Sequence, residues 1–270
     1  MTAALLITGA VTGAIGAILG LGGGVFLVPA LVLGFGIPIH SAAGAGLVAV
    51  IATSCAAAAI NVKKGLVNIE LGIVLETATV LGAITGGFAA AYLPAKILIG
   101  VFSVLLACMT ALLWRDRITE SESSKSDSQG VFPASYHDPA LKKTVDYAVH
   151  RLDIGMITAY FAGNLSGLLG IGGGVVKVPV LHIVCRMPMK AAAATSNFMI
   201  GVTGAAGAVV YFANGKLDLR LSGLVAIGIL LGSTGGALIS QRLSGRAVRK
   251  AFAVLTLVLS ILMMRRSLGL

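Results

Sequence analysis

The stretch Gly20-Leu21-Gly22-Gly23-Gly24-Val25 decides the reading of this chain, because it returns 150 residues later as Gly170-Ile171-Gly172-Gly173-Gly174-Val175. The return is not confined to glycine. Val28-Pro29 and Leu31 recur as Val178-Pro179 and Leu181, Pro38 as Pro188, Gly65 as Gly215, Gly82 as Gly232, Gly86 as Gly236, and Phe102 as Phe252. Chance does not hold one register over such a span, so the chain is two homologous halves. Three consecutive glycines cost a helix about 1 kcal/mol each relative to alanine. A break placed identically in both halves therefore needs a reason.

Outward from the triplets the chain is apolar. Residues 1–21, 41–61, 71–92, 97–114, 154–176, 191–213, 221–240 and 251–264 are mostly or wholly uncharged, and charged residues make up only 11% of the sequence. Several of these runs reach the roughly 20 residues that cross a hydrocarbon core. Lipid offers no partner for an open strand's backbone, and the alternation of a barrel is absent, so the spans are helices. The expected fold is all-α: a polytopic membrane protein of two halves, each with a Gly-broken helix or hairpin plus three spanning helices. The first run has no basic leader or cleavage site and is expected to belong to the mature protein. Residues 1–114 and 151–270 are expected to form the two transmembrane repeats.

Between them, residues 115–150 are Ser-rich and charged. Asp138-Pro139 has the form of a helix start, and Leu141, Val145, Ala148, Val149 and Leu152 follow at helical spacing. These predict a short amphipathic helix on the membrane surface, a plain linker being the alternative.

The net charge of +10 does not indicate a nucleic-acid partner, since the basic residues sit in short loops between spans. They orient the chain instead. If each half crosses an odd number of times and the linker is cytoplasmic, Lys63, Lys64, the linker, Arg186, Lys190, Arg242, Arg246, Arg249 and Lys250 lie inside. Lys96, Lys216, Arg220, Arg265 and Arg266 then lie outside. An even count leaves Arg242, Arg246, Arg249 and Lys250 in one external loop. The positive-inside rule favours the odd count, which inverts the second half relative to the first.

A broken helix in a membrane is tolerated where its backbone lines a cavity. Helices restarting at Gly24 and Gly174 would present free N–H groups and positive dipole ends, which suit an anion. Inverted repeats of that kind meet near the midplane and hold a substrate there. Gly22, Gly23, Gly24, Gly172, Gly173, Gly174 and Val175 are thus the backbone candidates. Gly82, Gly86, Gly87, Gly232, Gly235 and Gly236 read instead as small residues that let helices pack closely. No Gly-Lys-Ser/Thr follows either triplet, which excludes a phosphate-binding loop.

Polar side chains within spans complete the site. Lys177 stands where the first half has Leu27, and can add charge to an anion site, snorkel, or pair with an acid. Thr195, Ser196 and Asn197 offer hydroxyls and an amide to oxyanion oxygens. Thr53 and Ser54 lie deeper in the first half, so the side chains of the site are expected to be asymmetric. Glu76 can carry a coupling proton or neutralise Lys177. Cys55, Cys108 and Cys185 lack metal-ligand spacing, and His40, His137, His150 and His182 are scattered without paired acids. No metal, cofactor or catalytic centre is indicated, and an enzyme is not expected.

Gly20–Gly24 followed by Val28-Pro29-Ala30-Leu31, its copy over Gly170–Leu181, Thr195-Ser196 and the turn Gly215-Lys216-Leu217-Asp218 resemble the TauE/SafE family of sulfite and organosulfur exporters. The resemblance implies a carrier in a bacterial-type inner membrane for small sulfur-containing anions such as sulfite, thiosulfate or sulfoacetate. The first half departs from the pattern at Ala45-Gly46, where a Thr-Ser pair is missing. Export of an anion is favoured by a negative interior, by about 2.3 kcal/mol per 100 mV. Uptake would need a proton or sodium ion. An anion channel would use the same helix ends around a continuous pore.

Overall fold

The computed structural model describes residues 2–19, 22–115, 130–138, 143–240 and 245–269. The first half contains α1 (Thr2–Leu19), α2 (Gly24–Pro29), α3 (Ile39–Lys63), α4 (Ile69–Tyr92) and α5 (Ala95–Arg115). The second repeats them as α6 (Leu152–Leu169), α7 (Gly174–Pro179), α8 (Met189–Ala213), α9 (Leu219–Ser240) and α10 (Gly245–Leu268). Among the described residues, α3, α4, α8 and 219–236 of α9 are long and apolar enough to cross a membrane. At 25 residues, α3 and α8 each reach about 37 Å. The chain is a polytopic all-α membrane protein.

The repeat extends to the local chemistry that starts and stops helices. Gly22 and Gly23, and likewise Gly172 and Gly173, have positive φ, so the chain turns sharply between α1 and α2 and between α6 and α7. Pro29 and Pro179 lack the N–H that continues an α-helical ladder, and a five-residue π-helical stretch follows each, over Ala30–Gly34 and Val180–Val184. Pro38 and Pro188 then precede α3 and α8. Asn68 and Asp218, again 150 apart, accept from the backbone N–H groups of Leu71 and Leu221 at the starts of α4 and α9.

Packing joins the halves crosswise. Helix α1 runs parallel to α9, with Leu6 beside Gly228, Ala10 beside Gly232 and Ala14 beside Gly236. Helix α6 runs parallel to α4 in the same way, with Tyr160 beside Gly82 and Asn164 beside Gly86. A methyl at Gly82 would overlap the Tyr160 carbonyl oxygen, and one at Gly232 the Ala10 carbonyl oxygen. Close helix approach is therefore what these glycines serve, as expected, although Gly235 faces open space.

Equivalent helices oppose one another. Ser54 meets Asn197 and Gly201 while Leu47 meets Gly207, so α3 and α8 are antiparallel. Ser103 and Ser260 exchange hydrogen bonds of 3.0 Å, Thr110 bonds Thr256, and Ser267 bonds the Lys96 carbonyl, so α5 and α10 are antiparallel too.

The linker corrects one expectation. Helical spacing from Asp138-Pro139 predicts an amphipathic helix, but Val131–Asp138 (β1) and Lys143–Val149 (β2) form an antiparallel hairpin; Leu141 lies outside the described residues. Val145 and Val149 fit a four-residue spacing and a two-residue alternation equally well. Tyr147 between them, with β-branched and aromatic neighbours, tips the balance to strand. Tyr136 and Tyr147 meet edge to face at 6.4 Å. Tyr136, Val149 and Phe132 pack into one apolar cluster with Leu71, Leu75, Leu181, Cys185 and Met187, so the hairpin covers one end of the helical body.

Candidate substrate site

The two glycine breaks come together between the middles of α3 and α8. A side chain at Gly22 would touch Val50 and Ile200 at 3.6 and 3.8 Å, and one at Gly172 would press on the same two residues. Val50 and Ile200 are repeat equivalents near the centres of their 25-residue helices. Gly24 adjoins the Gly170 carbonyl oxygen and Ile171. The starts of α2 and α7 thus adjoin one another beside the middles of α3 and α8.

The side chains differ between the halves. In the first, Thr53 donates to the Gly22 carbonyl at 3.3 Å and to that of Val50 at 3.0 Å. Ser54 donates across to the Asn197 carbonyl at 2.5 Å. Gly46 has no room for a side chain, because a methyl there would overlap the Gly170 carbonyl oxygen. In the second half the equivalent of Gly46 is Ser196, fully buried beside Gly174, and the equivalent of Gly16 is Ser166, fully buried beside Gly173. Among the described residues neither hydroxyl has a hydrogen-bond partner. An orphaned buried hydroxyl costs about 1–3 kcal/mol, so two flanking one break call for an explanation.

Thr195 is placed differently. Its hydroxyl accepts from the Asn68 backbone N–H at 3.0 Å, and the Asn68 side chain also donates to the Phe132 carbonyl of the hairpin. It ties α8 to the start of α4 and to the linker. The Asn197 backbone carbonyl is taken by Ser54, and Val175 is buried at the start of α7.

Lys177 realises the pairing alternative. Its ammonium group donates to Thr203 Oγ1 at 2.7 Å and lies 3.5 Å from Glu76 Oε2, while Thr203 donates to Glu76 Oε1 at 2.6 Å. Lys177 is 3% exposed and Glu76 7%. Lys177 also lines a cavity of about 10 Å³, room for one water centre, with Leu75, Thr158, Leu181 and Met199 among its walls.

Thr203 and Ser166 escaped sequence reading. Thr203 was legible through the repeat, since it is the equivalent of Thr53. Ser166 carries only the weaker signal of a serine where the first half has Gly16.

A family model described as "Sulfite exporter TauE/SafE" matches residues 5–263. The chain is 24% identical to the "Probable membrane transporter protein YunE" of Bacillus subtilis, over 90% of each chain. It is 25% identical to the "Probable membrane transporter protein MJ0441" of Methanocaldococcus jannaschii, over 91% of this chain and 88% of that one. A "Probable membrane transporter protein" of Xylella fastidiosa is 26% identical over 97% of this chain and 96% of its own. No solved structure matches.

Proposed function

The chain belongs to the TauE/SafE sulfite exporter family, and from that premise we propose that it carries small sulfur-containing anions such as sulfite, thiosulfate or sulfoacetate across the inner membrane. The observation that carries this reading is the pair of unpartnered hydroxyls, Ser166 and Ser196, at the break where α7 begins. Among the described residues these hydroxyls are donors without acceptors, and a tetrahedral or pyramidal oxyanion supplies acceptors. Gly172–Gly174, Val175 and Ser196 form the near wall of the proposed site, Gly22–Gly24 its pseudo-symmetric counterpart, and Lys177 its charge. Thr53 braces the first break at Gly22, Ser54 and Asn197 tie α3 to α8, and Thr195 ties α8 to α4.

The halves are proposed to be inverted across the bilayer with the linker cytoplasmic. The antiparallel courses of α3 against α8 and of α5 against α10 support this. So does the gathering of Lys63, Lys64, Arg186 and Lys190 at the hairpin end, opposite Lys96, Lys216 and Arg220.

Export down the membrane potential needs no coupling ion. Proton-coupled uptake is the second reading, favoured by the buried carboxylate of Glu76 inside α4. The discriminating assay is efflux from proteoliposomes at set potential and pH gradient. Substrate class is tested by thermal shift of the purified protein, since a ligand bound to the folded state raises apparent stability. Sulfite or thiosulfate should raise Tm where chloride at equal ionic strength does not; no response to any sulfur anion sinks the reading.

A further inference from the structure

We propose that Glu76 is the resident stand-in for the substrate: its carboxylate occupies Lys177 in the empty carrier, and the transported oxyanion displaces it. This rests on the sulfur-anion reading above and goes beyond it by assigning Lys177 a change of partner. Three observations carry it.

First, the cluster has a counterpart that does without charge. The positions equivalent to Glu76 and Lys177 are Ala226 and Leu27, and Leu27 is fully buried. The same fold is thus built at the pseudo-symmetric place from apolar residues. A buried ion pair is seldom more stable than such a replacement, so the need for a fold does not account for it.

Second, Thr203 is diverted. Its equivalent Thr53 donates to the carbonyl of its own glycine break, whereas Thr203 donates to Glu76. A carboxylate therefore takes hydrogen bonds from one hydroxyl and one ammonium group a turn beyond the second break. That donor set fits the oxygens of a small oxyanion equally well.

Third, Lys177 has space beside it. The small cavity it lines, about 10 Å³ and walled by apolar atoms, lies among α4, α6, the second π-helical stretch and α8, so packing along the lysine stem is incomplete there.

Among the described titratable groups on the surrounding elements, Lys177 alone reaches Glu76. Asp153 stands exposed at the start of α6, Tyr160 bonds Thr85, His182 bonds the Met187 carbonyl, and Lys190 stands exposed at the start of α8. Exchange of partners leaves Lys177 compensated in both states, and the displaced Glu76 takes up a proton so that no unpaired carboxylate stays buried. The exchange also breaks the polar tie from α4 to α7 and α8 at Glu76, which couples occupancy of the site to the contact between halves.

The test measures half-maximal thermal stabilisation by sodium sulfite and sodium thiosulfate for wild type, E76Q, K177M and E76A/K177L. Removing a bound competitor removes a tax on affinity, so E76Q should respond at about ten-fold lower anion concentration. K177M should not respond at all. E76A/K177L, which copies the first half, should fold at least as well as wild type. Should E76Q alone fail to fold, E76D draws the carboxylate back and should shift the response in the same direction. An E76Q response that is unchanged or lost overturns the exchange, as does failure of E76A/K177L to fold. Silence of wild type and E76Q towards every sulfur anion overturns the substrate reading and the exchange with it. A wild-type response without tightening in E76Q overturns the exchange alone.

Discussion

At the scale of single residues, stability and binding should part company at Ser166 and Ser196. Each hydroxyl is buried without a partner, so Ser196→Ala and Ser166→Ala remove a desolvation cost and raise unliganded stability by up to about 1 kcal/mol. The same variants should weaken the thermal response to sulfite, because the donors are gone. Loss of unliganded stability would mean that the hydroxyls serve packing. Gly46→Ser makes the opposite change at the equivalent place and should cost about 1–3 kcal/mol, since its Cβ meets the Gly170 carbonyl. This asymmetry was partly legible in the sequence. Ser196 stands in a polar run, Lys177 replaces Leu27, and its pairing with Glu76 was one of the alternatives, but which one holds depends on residues 101 apart in sequence. No local pattern encodes which of an acid's neighbours it will meet, and only the repeat pointed towards Thr203.

At the scale of elements, Asn68 joins three pieces: its side chain caps α4 and holds the hairpin at Phe132, and its backbone bonds Thr195. Asn68→Ala should cost about 1–2 kcal/mol through the lost cap and should expose the hairpin to protease, while Asp218→Ala, its repeat equivalent, should cost the cap alone. Equal protease protection of the hairpin in both variants would sink the linkage. Docking should also be sensitive to alkali. Burial holds the Tyr147 hydroxyl above its ordinary value of 10, the neutral form being favoured in the folded protein. Between that value and the folded one the native state keeps a proton the unfolded state has lost, so stability falls as pH rises past 10. Tyr147→Phe should abolish that loss in a pH series of hairpin protection. The hairpin was the element least legible in advance. Positions 145 and 149 satisfy both periods, and what decides is a docking surface built from Leu71, Leu181 and Met187, contributed by distant parts of the chain. The spanning helices were the most legible, because lipid leaves an apolar run no alternative to internal hydrogen bonds.

At the scale of the whole molecule, one register of 150 residues organises breaks, prolines, caps and helix pairs, and it was readable because duplicated sequence faces duplicated physical demands. What sequence alone left open was how the copies lie. Parallel and inverted halves are built from the same apolar runs and differ in which loops share a side. The loop between α3 and α4 and the loop between α8 and α9 are repeat equivalents, so parallel halves put them on one side of the membrane and inverted halves on opposite sides. The antiparallel courses of α3 and α8 favour the second, and so does the uneven spread of Lys and Arg. Lys64 and Lys216, both exposed, mark the two loops without disturbing a packed position. In a background with Cys55, Cys108 and Cys185 replaced by alanine, Lys216→Cys should react with a membrane-impermeant maleimide in intact cells. Lys64→Cys should react only after the membrane is permeabilised. Labelling of both from the outside, or of neither, would place the loops together and overturn the inversion. A shared midplane site for the two glycine breaks would then lose its geometric basis, since only opposed hairpins bring both tips to the centre from different faces.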